Sequence, residues 1–264
     1  MENDCTKQGL LRYNKIKTND FGGMAMRRIR VGIVVVLSVL VALLAPRVGG
    51  LVANQFSYDS VDPDGVFAWL YVHHLVQAGI VFILMLVLMR QTSLRFGLDG
   101  GNQQLGLKYV IRFTVFFFLY TVVVLSISTL LSGVMTLPFT LNARNLGGYL
   151  SFQLLMSGPS EELIFRAFLM TVLGVVIHSR LLGGKLSTVN LIAALVFVVA
   201  HIGIQFTPFS LSYDPMQLLY SFALGVIYGD CYERTRSVVY PMALHSISNV
   251  ISVSMVALFQ VLFG

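Results

Sequence analysis

Residues 157–166 read Ser-Gly-Pro-Ser-Glu-Glu-Leu-Ile-Phe-Arg, inside an apolar stretch running from about Tyr149 to Ile177. An ionisable side chain near the centre of a membrane helix costs about 2.5–3.5 kcal/mol on insertion scales, so three within six positions point to a job. Glu162 and Arg166 are one helical turn apart and can neutralise one another. Glu161 is turned away by about 100° and stays free. A buried carboxylate without a counter-ion is suited to take a proton from water. The plainer reading, a polar clamp between helices, needs only the Glu162–Arg166 pair.

Two further polar sets stand in apolar surroundings. Phe197-Val-Val-Ala-His201 places one imidazole near the end of a hydrophobic run. His245-Ser-Ile-Ser-Asn249 places an imidazole and an amide on one helix face. Taken singly, each could be a hydrogen bond between helices. Together, Glu161, His201, His245 and Asn249 supply a base, an acid or metal ligand, and an oxyanion donor. That is the kit for adding water to a carbonyl.

These residues need helices to hold them, and the composition supplies them. Hydrophobic residues make up 56% of the 264 residues and charged ones only 11%, against roughly 25% charged in a soluble domain. The fold class is therefore all-α, a polytopic transmembrane helical bundle. Apolar runs predict about seven spans: 31–53, 66–89, 113–135, 149–177, 189–206, 216–232 and 238–263. An eighth, re-entrant element would precede Pro159, with Pro159 and Ser160 starting a helix and Ser160 as its N-cap. The first run is interrupted by Pro46 and Arg47. A signal-peptide core is its rival reading, opposed by the long preceding tail and a poor cleavage pattern.

Fifteen of the eighteen Lys and Arg fall on one side of this arrangement. They lie in the tail from Lys7 to Arg30, in the second connection (Arg90, Arg95, Lys108, Arg112), and at Arg180, Lys185, Arg234 and Arg236. Only Arg47 and Arg144 fall on the other side, and Arg166 is inside a span. The positive-inside rule then predicts a cytoplasmic amino terminus and an external carboxyl terminus. Residues 1–26 read as a polar, basic, disordered cytoplasmic tail that favours anionic lipid. Residues 27–264 form a single transmembrane domain. A nucleic-acid partner is excluded because the basic residues flank spans. Cys5 and Cys231 give no disulfide framework. His73 and His74 read as interfacial.

The ordered set Glu161-Glu162-x-x-x-Arg166, Phe197-x-x-x-His201 and His245-x-x-x-Asn249 resembles the three motifs of the CAAX-protease and bacteriocin-processing (CPBP, or Abi) intramembrane endopeptidases. The resemblance covers about residues 149–255, in the carboxyl-terminal four helices. It implies an α-helical intramembrane protease acting on a membrane-associated protein or peptide. Eukaryotic and archaeal members remove the last three residues of prenylated CAAX proteins, and bacterial relatives are linked to peptide maturation and bacteriocin immunity. By motif position, Glu161 activates water, His201 assists, His245 and Asn249 bind the oxyanion, and Glu162 and Arg166 support the site. No cofactor is favoured. A Zn2+ ion, consistent with the label metalloendopeptidase, would take His201, His245 and one of Glu161 and Glu162.

Other chemistries fit less well. Gly158-Pro159-Ser160 looks superficially like a rhomboid Gly-x-Ser with His201 or His245 as partner, but leaves the glutamates unused. No His-Glu-x-x-His occurs. Asp214 and Asp230 only hint at an aspartyl pair. A small transporter would also keep buried Glu, Arg and His, but no repeats or paired broken helices are visible. A non-catalytic immunity or scaffold protein would keep Glu162 and Arg166 and could dispense with Glu161.

Overall fold

The computed structural model describes residues 4–264, with side chains from Arg28 onward except Phe206. Among the described residues seven helices follow in order. They are α1 (Asp4–Ala53), α2 (Ala68–Gln91), α3 (Gln103–Ser132), α4 (residues 143–174), α5 (Thr188–Ala200), α6 (Pro215–Thr235) and α7 (Val239–Phe263). Each of four starts is fixed by a side-chain cap. Asn102, Asn142 and Ser187 accept from the backbone N–H three residues on, and Asp214 accepts from Met216 and Gln217 ahead of a first-turn proline. Asp62 does the same for α2. It takes the N–H groups of Val66, Phe67 and Ala68 at 2.9, 2.6 and 2.8 Å. Burial would raise its pKa, but these three donors outweigh burial and hold it below the usual value.

Among the described residues four stretches are long and apolar enough to cross a membrane: Arg28–Ala53, Ala68–Gln91, Gln103–Ser132 and Val239–Phe263. Their outward faces carry large exposed apolar side chains, such as Leu51, Ile83, Phe116 and Leu130. With no water to bury against, such faces suit lipid. The chain is a helical membrane protein. α4 is the axis of the bundle: every side chain from Leu163 to Met170 is buried.

Several expectations need correction. The tail continues α1 back to Asp4 rather than being disordered, since it holds no proline and many good helix formers; the side chains before Arg28 lie outside the described residues. Among the described residues no separate re-entrant element precedes Pro159. α4 instead runs unbroken through α-helical Ala143–Phe152, π-helical Gln153–Ser157, α-helical Gly158–Glu162, π-helical Leu163–Met170 and α-helical Thr171–Gly174. Proline cannot donate, and the wider turn just before it absorbs the missing bond, so the helix neither stops nor needs Ser160 as a cap. The fifth helix ends at Ala200, not Phe206. Gly203–Phe206 (β3) and Phe209–Ser212 (β4) form an antiparallel hairpin there, and a smaller one pairs Arg180–Leu181 (β1) with Leu186–Ser187 (β2).

Candidate active site

Close packing brings α4 to α7. A Cβ on Gly158 would stand 2.7 Å from Ser246 Oγ and 2.8 Å from its backbone nitrogen. Only glycine permits that approach. The crossing sets Glu161 and Glu162 beside His245.

The two glutamates have different surroundings. Glu162 and Arg166 are both fully buried and pair at 2.8 Å. Arg166 also donates to the Gly225 carbonyl at 2.9 Å and lies over the rings of Phe197 and Tyr228, at 4.8 and 5.5 Å. Glu162 does more than the spacing indicates: it also accepts from His245 Nδ1 at 2.8 Å. One carboxylate thereby joins the arginine to the imidazole. Glu161 has no such anchor. Its side chain is 18% exposed, His245 Nε2 is 3.9 Å from Oε2, and Oε2 has no hydrogen-bond partner.

The imidazoles are fixed by their other nitrogens. His201, the residue that ends α5, donates from Nδ1 to the Phe197 carbonyl at 2.8 Å, which leaves Nε2 as an acceptor when the ring is neutral. His245 stacks on Tyr228 at 5.1 Å, so its Nδ1 bond to Glu162 points Nε2 towards Glu161. Asn249 is engaged: its amide donates to Gln153 Oε1 at 2.7 Å and to Ser157 Oγ at 3.1 Å. Oxyanion duty therefore requires it to release one of those two partners.

Glu161, His201, His245 and Asn249 share the wall of one cavity of about 390 Å³. A larger hollow, about 1040 Å³, lies at the other end of the bundle and is lined by Arg95, Arg180, Glu233 and Arg236 with none of the motif residues.

His74 lines the same cavity and is the residue that sequence reading missed. It is buried, not interfacial. Its Nδ1 is 2.6 Å from Ser160 Oγ and 2.9 Å from the Gln77 amide nitrogen, which also donates to Ser160 at 3.0 Å. Because that amide can only donate, Nδ1 accepts and Nε2 carries the ring proton. The available signal was the spacing 74, 77, 81, 85, the buried stripe of α2, with two polar members. Ser160 thus pairs with His74 rather than with His201 or His245. Its hydroxyl is buried behind the cavity wall, which removes the rhomboid-like reading. Asp214 caps α6 and Asp230 binds Tyr109 and Arg234 near the far end of the same helix, so they form no pair.

A zinc ion needs three donors converging. Among the described residues no three His, Cys, Asp or Glu side chains are grouped to hold one. His245 Nδ1 is taken by Glu162 and His201 Nδ1 by a carbonyl, bonds that orient each ring and leave its Nε2 for chemistry.

Residues 143–251 match the family model described as Rce1-like, type II CAAX prenyl endopeptidase. This stretch is similar to the CPBP family and holds all three motifs quoted above. That model describes CAAX-type endopeptidases, so the match supports an intramembrane protease at the level of family. No curated protein and no solved structure matches the chain.

Proposed function

We propose that the protein is an intramembrane endopeptidase in which Glu161 activates the water that hydrolyses a peptide bond of a membrane-associated substrate. One observation carries the reading: of two adjacent carboxylates, Glu162 is tied through Oε1 to Arg166 and His245, while Glu161 has neither tie and lines the shared cavity. Glu161 takes a proton from water, and the water oxygen bonds to the carbonyl carbon. The C–N bond then breaks, and Glu161 passes its proton to the leaving nitrogen. His201 presents Nε2 to the water. His245, in its imidazolium form with Nδ1–H held by Glu162, donates from Nε2 to the tetrahedral oxygen. Asn249 is a second donor once freed from Ser157 or Gln153. No step is routed through a metal. All seven helices cross the bilayer, with the amino terminus in the cytoplasm.

Glu161→Gln keeps the shape and removes the base. Cleavage should fall by about 10²–10⁴-fold, with the melting temperature in detergent near wild type. Retained cleavage would remove Glu161 from this role. Elemental analysis of active protein tests metal independence, and stoichiometric zinc whose chelation stops cleavage overturns it. Proteolysis in detergent, where no gradient exists, separates a protease from a transporter or scaffold.

A further inference from the structure

We infer that the cavity opens to the extracytoplasmic face, and that the substrate is an apolar polypeptide segment reaching the site from that side. This rests on the protease reading of the cavity and adds the direction of access.

The mouth is built from matching ends of its helices. Leu70 comes from the first turn of α2, Tyr149 from the early part of α4, His201 from the end of α5, and Gln217 and Tyr220 from the start of α6. The neighbouring loops are tied at this same end. Asn145 donates to Asp64 at 2.8 Å, the Leu137 N–H donates to Gln260 at 3.1 Å, and Arg47 reaches the Ile202 carbonyl at 3.5 Å.

The opposite end is where the cations gather. There the Asn102 N–H donates to the Thr235 carbonyl at 2.8 Å, and the Val238 N–H donates to the Gly97 carbonyl at 2.8 Å. Ser187 bonds Glu233, which draws the α4–α5 connection to the same place. Arg95, Lys108, Arg180, Arg234 and Arg236 all belong to this end, whereas the cavity end holds Arg47 and Arg144. Cytoplasmic loops are the ones enriched in Lys and Arg. The cavity therefore faces away from the cytoplasm.

The surface between the lining residues His201 and Gln217 is suited to an apolar substrate. On the hairpin after His201 and at the start of α6, Phe209, Leu211, Tyr213 and Met216 are 69%, 51%, 59% and 70% exposed. Aromatic and apolar side chains in such positions favour the interface between water and lipid. A segment held in the outer leaflet would meet them on its way to Glu161. A lipidated carboxyl terminus made in the cytoplasm would meet the cation-rich end instead.

Cysteine labelling reads the side directly. With Cys5 and Cys231 replaced by Ser, Gln217→Cys should react fully with a membrane-impermeant maleimide in intact cells, and Arg236→Cys only after permeabilisation. Tyr213→Cys and Arg95→Cys serve as second positions if either first variant fails to accumulate. The reverse pattern overturns the proposal. In the companion assay, an apolar reporter segment is presented with its scissile bond near either face. Loss of the external reporter alone supports the proposal, and loss of the cytoplasmic reporter alone overturns it. Labelling needs no cleavage, so a wild-type protein that cleaves neither reporter would sink the protease reading and leave the side of the cavity determined.

Discussion

The two ends of the bundle are built on opposite terms. At the cation-rich end, loops are sewn to the α6–α7 turn by backbone bonds, and Tyr240 and Ser237 donate to the Gly100 and Asp99 carbonyls. At the cavity end, polar atoms of Glu161, His201 and His74 face open space. The Glu162–Arg166–His245 chain lies between them. Buried polar groups left without partners are costly, so an end that carries them needs a neighbour that does not give way. The closed end holds the open end in register.

The strongest way to break this division is to cut the link between the ends. Arg166→Met leaves the buried Glu162 without its guanidinium, held by His245 alone. Removing one member of a buried pair costs about 3–5 kcal/mol, so thermal unfolding in detergent should move down sharply or the protein should fail to accumulate. A melting point within a degree or two of wild type would mean that the pair is not structural. Asn249→Ala acts at the open end alone. If its amide serves the tetrahedral oxygen, kcat should fall by about 10²–10³-fold with stability nearly kept. An unchanged kcat would restrict the amide to orienting Gln153 and Ser157.

Gly101→Ala acts at the closed end alone. Gly101 has φ +47, and a Cβ there would stand 2.2 Å from the Thr235 carbonyl oxygen. The loop must move, at a cost of about 1–3 kcal/mol. Unfolding should come earlier while cleavage per folded molecule stays the same. The smallest effect is expected at Asp62→Asn, where part of one cap is lost, about 1 kcal/mol. The Asp62 pKa is lowered in the fold, so its stabilisation is present above the unfolded carboxylate value of about 3.9 and fades as pH falls through the folded value. The stability gap between wild type and Asp62→Asn should therefore be full at pH 7 and close at strongly acidic pH, as melting curves across that range would show.

The grouping of the motif residues was more legible in the sequence than their scaffolding. Glu162 and Arg166 are four apart, and the spacing alone predicts their contact. Glu161, His201 and the His245–Asn249 face share one cavity, as their placement on neighbouring helices requires. His74 was hidden because its nearness to the end of a span was weighed above the face it shares with Gln77. Gly158 and Pro159 read as a break because the rule for proline supposes an α-helical turn before it, and the turn here is π-helical. The hairpin after His201 was hidden too: Ile202, Ile204 and Phe206 extend an apolar run in composition, while the backbone has already left the helix.

The wide turns of α4 also set how much length this helix can lose. From Leu163 to Met170 the chain carries more residues per turn than its neighbours can read as an ordinary coil. Deleting a single residue there would let the ladder tighten to a regular helix and take up the loss, because an i→i+5 turn holds one residue more than an i→i+4 turn. Thr171, which meets the Tyr232 hydroxyl at 2.7 Å, would keep its phase with the glutamates. The same deletion in the α-helical turns that flank this segment would instead rotate everything beyond it by about 100°, so the wide turns are the slack of the helix and its regular turns are the part whose residue count is fixed.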